Sequence, residues 1–242
     1  MLWLEPQIKG AAARILEVGC GQGHLAAALA GSDHQVIAID ADPAAVVAAR
    51  YKGVDARVGR FPDGDLREIF QEGAFDIVLF TRSLHHMHDL NAACEAAFSL
   101  LAPGGAVLVE DFAWNILDER AAAWAFGLMG VGRAMGIVPE ARWRTGNDPL
   151  VTWLAQHEGH AHAIAAMRDA ITKHSKSLTD FSQVAITEQT APYFYRYFCD
   201  YLADTDDGAA IAESVLAAEQ QMLTARAMVP LGWRLSARRS DS

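Results

Sequence analysis

Short apolar runs alternate with amphipathic or Ala/Leu-rich stretches over the first 112 residues. Ile15–Val18, Val36–Ile39, Ala56–Val58, Phe75–Phe80 and Ala106–Val109 read as strands, the third of them weakly. His24–Ala30, Pro43–Tyr51, Asp65–Gln71 and Asp89–Leu101 read as helices. Asp42 stands as N-cap of the second helix, with Pro43 in its first turn. Pro103-Gly104-Gly105 reads as a turn. Runs of four to six apolar residues separated by helices predict βαβ units, a parallel sheet with both faces covered.

The pattern changes at residue 113. Residues 113–178 carry no strand pattern and hold four of the six tryptophans: Trp114, Trp124, Trp143 and Trp153. Phe181–Thr187 and Gly232–Ala237 read as two further strands, with Tyr193–Leu202 and Ala209–Ala227 helical between them. The expectation is an α/β core from residues 1–112 and 181–242, carrying a helical insertion at about 189–229, and a helical cap at 113–180.

Of the 242 residues, 52% are hydrophobic and 21% charged, which excludes a disordered chain. Lys and Arg total 20 against 30 Asp and Glu, a formal charge of −10, so broad affinity for nucleic acid is disfavoured. The three cysteines, Cys20, Cys94 and Cys199, form no CxxC pair and suit a reducing, cytoplasmic setting. The longest apolar run, Ala121–Gly132, is too short to span a bilayer. A small-molecule partner is expected, and neither nucleic acid nor membrane.

The chemistry concentrates in Ile15-Leu-Glu-Val-Gly-Cys-Gly-Gln-Gly23, a strand running through a glycine turn into a helix. Glycines let a backbone approach a ligand closely, and a helix start offers free N–H groups. The spacing is G-x-G-x-G rather than the G-x-G-x-x-G of dinucleotide binders. Asp40 ends the next strand, where a carboxylate can take both hydroxyls of a ribose.

These features resemble the class I S-adenosylmethionine-dependent methyltransferases. E-V-G-C-G-Q-G is similar to that family's first motif, I-A-I-D-A-D-P to its second strand, G-A-F-D-I-V-L-F to its fourth, and L-L-A-P-G-G-A-V-L-V to the turn into its fifth. The resemblance implies a Rossmann-like α/β fold: a seven-stranded, mostly parallel sheet with an antiparallel last strand, plus the helical cap. It implies S-adenosylmethionine as cofactor. Gly19, Cys20, Gly21 and Gly23 would lie against its methionine part, with Glu17 near its amino group and Asp40, beside Ala41, on its ribose. Gly59, Arg60 and Phe61 stand where the family often has G-D-A, so Arg60 replaces an acid that meets adenine. Phe80 and Thr81 would face the methionine end. Cys20 is expected to be a packing residue, not a nucleophile.

Thr81-Arg-Ser-Leu-His-His-Met-His88 lacks the [N/D]-P-P-[Y/F] of amino-methylating enzymes of DNA bases and glutamine. Its L-H-H form resembles the family's small-molecule group. His85 and His86 are the candidate catalytic bases. His157-Glu-Gly-His-Ala-His162 departs from the H-E-x-x-H zinc pattern, so no metal is expected. Tyr193, Tyr197 and Tyr201 share a helical face, either core or pocket wall. The reading is a methyltransferase for a small acceptor at O, N or C. The alternatives are an inactive cofactor-binding regulator or a nucleotide-dependent oxidoreductase.

Overall fold

The structure is a computed structural model and describes residues 3–8, 12–63, 73–138, 148–176, 184–196, 199 and 208–240. The first strands are β1 (Arg14–Val18), β2 (Gln35–Asp40), β3 (Asp55–Val58), β4 (Phe75–Thr81) and β5 (Leu101–Phe112). They alternate with α1 (His24–Ala30), α2 (Pro43–Tyr51) and α3 (Leu90–Ser99). Next come α4 (Glu119–Ala134), α5 (Pro149–His157), α6 (Ile164–Ser175), β6 (Val184–Ala191), α7 (Gly208–Thr224) and β7 (Gly232–Arg239). The predicted helix at Asp65–Gln71 lies outside the described residues, as do Tyr197 and Tyr201.

The seven strands form one sheet in the order β3-β2-β1-β4-β5-β7-β6. The pairs β1–β2, β1–β4, β2–β3 and β4–β5 are parallel, and β7 is antiparallel. Topology reverses at β1, which pairs β2 on one side and β4 on the other. A crevice at such a switch point, outside the carboxyl ends of the strands, is where open α/β sheets take their ligands.

β5 is longer than the apolar run Ala106–Val109 suggests. Phe75 pairs with Leu101 while Ile77 pairs with Ala106, so Ala102–Gly105 bulge out of the ladder and pairing continues on both sides. The expected turn at Pro103-Gly104-Gly105 is therefore a bulge inside a strand. Proline, with no N–H to donate, is tolerated there.

The chain divides into two compact units, residues 1–111, 164–189 and 234–242, and residues 112–163 and 190–233. In the first unit, Ile15, Ala38, Ile77, Leu79 and Leu108 of the sheet pack with Ala26 and Leu29 of α1 and Val46 and Ala49 of α2. The helix α6 belongs to this unit and packs on α3. Its buried positions Ile164, Met167, Ala170, Ile171 and His174 recur every three or four residues. Asn91 at the start of α3 accepts from Lys173 Nζ at 3.1 Å and bonds His174 Nε2 at 3.2 Å.

The second unit is built around Trp153, which is fully buried and donates its indole N–H to the Trp114 carbonyl at 2.7 Å. Phe112 stacks on Tyr193 at 4.3 Å between centroids, and His157 packs edge-on to Phe112 and against Trp153. Tyr193 is thus part of the core, and His157 is an aromatic packing residue whose Nδ1 lies 2.7 Å from the Trp153 carbonyl.

Sequence patterning gave no sign of the role of Glu219 in α7. Its carboxylate is buried and accepts three backbone N–H groups: Tyr193 at 2.6 Å, Phe194 at 3.1 Å and Tyr195 at 3.1 Å. Burial pushes its pKa up, and the three N–H groups partly offset this. Glu219→Gln would turn an amide donor toward the Tyr195 N–H. The expected loss is roughly 2 kcal/mol of stability, measured by urea unfolding. An unchanged midpoint would show that the carboxylate does not anchor this segment.

Candidate active site

The site begins where β1 ends. Gly19 and Cys20 donate their N–H groups to the Ile39 carbonyl at 2.8 and 3.0 Å, tying the glycine turn to the end of β2. Gly19 has φ +73°, and a Cβ there would stand 2.4 Å from the Ser83 Cβ. Only glycine fits, because Ser83 seals the turn from the β4 side. The Ser83 hydroxyl donates to the Val18 carbonyl at 2.5 Å. At Gly21, with φ +53°, a Cβ would meet nothing within 4 Å, so this part of the turn faces open space. Gly23 closes the turn and caps α1.

Asp40 organises the turn from the neighbouring strand. Its Oδ2 accepts the Gly21 N–H at 2.7 Å, and its Oδ1 accepts the Asp42 N–H at 2.9 Å. The Gly59 N–H donates to the Asp40 carbonyl at 2.9 Å, joining the ends of β3 and β2. Ala41 follows Asp40 and is exposed. Arg60 is exposed, while Phe61 is buried and packs edge-on against Phe80 at 5.9 Å. Phe61 and Phe80 therefore pack on each other, while the Arg60 side chain faces solvent.

Glu17 is 1% exposed beneath the turn. Its Oε1 accepts the Thr81 hydroxyl at 3.1 Å, and its Oε2 meets no donor in good hydrogen-bond geometry, the Ala26 N–H acting on the carboxylate only through a poorly aligned contact. Burial raises its pKa from 4.5 to about 7, against the opposing pull of the Thr81 hydroxyl, the Ala26 N–H and Arg82. A buried carboxylate with one unsatisfied oxygen fits a cationic ligand group. Burial, with Glu17 and Asp40 nearby, pushes the Cys20 thiol up to about 12. The thiol stays protonated at neutral pH, which suits a packing residue and not a nucleophile.

The two candidate histidines differ sharply. His86 is exposed, whereas His85 is 4% exposed. They lie in the short 3-10 helix Leu84–His86, with ring centroids 3.9 Å apart. His85 Nδ1 is 2.7 Å from Asp111 Oδ1 near the end of β5. Sequence reasoning missed Asp111. The signal was available: Glu110 and Asp111 close an apolar run inside a buried strand, and a buried acid requires a partner. Glu110 finds Arg234, whose Nε and Nη2 donate to its Oε1 at 2.9 and 2.7 Å.

A seven-stranded sheet of this order, with a glycine turn after β1 and an acid ending β2, defines the class of S-adenosylmethionine-binding methyltransferase folds. The comparisons agree. Residues 16–109 match the family described as Methyltransferase domain. The ubiquinone biosynthesis O-methyltransferase of Xanthomonas axonopodis pv. citri is 31% identical over 141 residues, which cover 57% of this chain and 57% of that protein. The chain thus spans just over half of that relative. The protein of the same description from Xylella fastidiosa is 28% identical over 192 residues, 75% of each chain. An S-adenosylmethionine-dependent methyltransferase from Mesorhizobium loti superposes with a TM-score of 0.58 at 16% identity, covering 98% of this chain and 96% of its own. Residues 16–109 thus carry a methyltransferase domain of the class I S-adenosylmethionine-dependent type. Among the described residues no helix is long and apolar enough to cross a membrane.

Proposed function

We propose that the protein transfers a methyl group from S-adenosylmethionine to an oxygen of a small-molecule acceptor. The observation that carries this reading is Glu17, buried under the glycine turn with one oxygen unsatisfied. The methionine end of the cofactor carries an ammonium group that suits that oxygen. A dinucleotide would instead bring a pyrophosphate against a carboxylate. Gly21 leaves room for close approach, and Asp40 retains lone pairs for a ribose diol. Phe61 and Phe80 offer an apolar wall for adenine, which relieves the need for an acid at Arg60.

When bound, the cofactor supplies a methyl group already activated on a sulfonium, so transfer is an in-line displacement. The chain's own residues then have to orient the two reactants, exclude water and take up a proton. An oxygen acceptor is supported by the O-methyltransferase relatives. The absence of [N/D]-P-P-[Y/F] after β4 argues in the same direction.

Calorimetric titration with S-adenosylmethionine, S-adenosylhomocysteine and NAD tests the cofactor. Binding of the first two and not the third is expected. Tight NAD binding with no response to the sulfonium compound would overturn the assignment. Mass spectrometry of reactions with phenols, catechols and primary amines tests the acceptor atom, and methylation of amines alone would refute oxygen.

A further inference from the structure

We propose that the second compact unit carries a binding pocket for an aliphatic monocarboxylate, which sets its anionic head on Arg120 and Arg226 and its chain on the apolar lining beside them. This stands independently of the methyl-transfer reading. The pocket measures about 590 Å³ and is lined by the start of α4 and by the turn that follows α7. That volume falls within the range of small-molecule sites, roughly 300–1,000 Å³. All of its lining belongs to residues 112–163 and 190–233.

Both arginines stand where local structure disfavours them. Arg120 is the second residue of α4, and a cation in the first turn of a helix meets the positive end of the macrodipole. Arg226 has φ +55°, the left-handed conformation that only glycine adopts freely. The turn is a Schellman motif: the Arg226 N–H donates to the Leu223 carbonyl at 3.0 Å, and the Ala227 N–H to the Met222 carbonyl at 2.9 Å. Arg226 thus occupies the position that glycine usually takes. A basic side chain one turn earlier would complement the α7 dipole without that strain. Both residues are exposed, and among the described residues neither guanidinium has a hydrogen bond, an ion pair or a ring contact. Two unpartnered guanidiniums on one pocket, each kept against a local preference, point to a ligand that they serve.

The rest of the lining sets the chemistry of that ligand. Leu223, Met228, Val229 and Pro230 supply aliphatic surface, and among the described residues no aromatic ring lines the pocket. An acyl chain is therefore favoured over a planar ring. Met228 is buried, and its thioether side chain adapts to a flexible guest. Asp118 and Glu119 line the same pocket, and their charges suit the start of α4. The Asp118 carboxylate accepts the Ala121 N–H at 2.8 Å as N-cap, and Glu119 stands in the first turn. With these two acids beside the two arginines, one further negative charge is accommodated and a second is opposed. A carboxylate fits better than a phosphate dianion, and its two oxygens match the guanidinium fork.

Carbon-13 NMR of the full chain labelled at its methionine methyls, with Met228→Leu assigning the signal, reads the pocket directly. Octanoate should shift the Met228 methyl saturably. Propionate, which lacks the chain, and 1-octanol, which lacks the charge, should each bind at least about tenfold more weakly. Arg120→Ala and Arg226→Ala should each weaken octanoate binding by about tenfold or more. Arg226→Gly controls for folding: glycine suits the turn, so the melting temperature should not fall, while octanoate binding drops as in the alanine variant. A Met228 signal that octanoate leaves unmoved overturns the proposal, as does undiminished octanoate binding in Arg226→Gly. Equal affinity for 1-octanol would refute the anionic head, and tighter binding of octyl phosphate would refute the carboxylate.

Discussion

Glu17→Gln is expected to make the ligand-free protein more stable at pH 8 while weakening its hold on S-adenosylmethionine. The opposite signs follow from one buried oxygen. Burial raises the Glu17 pKa from 4.5 to about 7. Between those values the folded protein keeps a proton that the unfolded chain has released. Stability therefore falls as pH rises through this window, by about 3 kcal/mol in total, and levels off above it. Glutamine keeps the shape and removes the charge, so the variant should lack this slope and gain about 3 kcal/mol at pH 8. For a chain of this length that is roughly 6–12 °C in Tm. The cofactor's ammonium reverses the balance, because it favours the ionised carboxylate. Binding below pH 7 should then release a proton, and the variant should bind roughly 10- to 150-fold more weakly. Thermal melts at pH 5 and 8, with titrations in buffers of different ionisation enthalpy, check both halves. Identical pH profiles for wild type and variant would show that Glu17 carries no such strain.

The parts of the fold that could be read from the chain are those whose chemistry is local. Pro43–Tyr51 was bounded correctly because Asp42 accepts the Ala44 N–H at 2.9 Å and Pro43 pre-sets the first turn. β1, β2 and β4 were visible because a strand buried on both faces is a continuous apolar run. β5 was truncated because its bulge puts Pro103, Gly104 and Gly105 inside the strand, and these residues ordinarily mark a turn. Its pairing comes from β4, and that partner is not written in the run itself.

The site divides along the same line. The glycine turn and Asp40 are contiguous signatures and could be found by spacing. Asp111 lies 26 residues from His85, and only the adjacency of β4 and β5 brings the turn after one strand beside the end of the other. Glu219 and Tyr193 are likewise 26 residues apart and meet only after α7 has docked. The two histidines looked equivalent in sequence. Burial and the carboxylate at 2.7 Å separate them.

Asp40→Ala is expected to weaken cofactor binding by more than about 150-fold, beyond what one lost ribose contact would produce. A hydrogen bond to a charged group contributes roughly 1.5–3 kcal/mol, equivalent to about 10- to 150-fold in Kd. The carboxylate has a second task, since its two oxygens already hold the Gly21 and Asp42 N–H groups at 2.7 and 2.9 Å. Alanine removes both anchors. The glycine turn, with Gly19, Gly21 and Gly23 all at positive φ, then loses a tie that fixes it to β2. Reordering it on binding adds to the cost. Asp40→Asn separates the two roles. Its carbonyl oxygen can still accept the Gly21 N–H, so the turn is largely kept while the charge toward the diol is lost. The expected order of affinity is wild type, then Asn, then Ala, with Asn within the range of a single contact. Titration calorimetry with S-adenosylhomocysteine reads all three. Equal losses for Asn and Ala would mean that Asp40 acts through its charge alone, and the turn would then owe its shape to the Ile39 and Ser83 contacts.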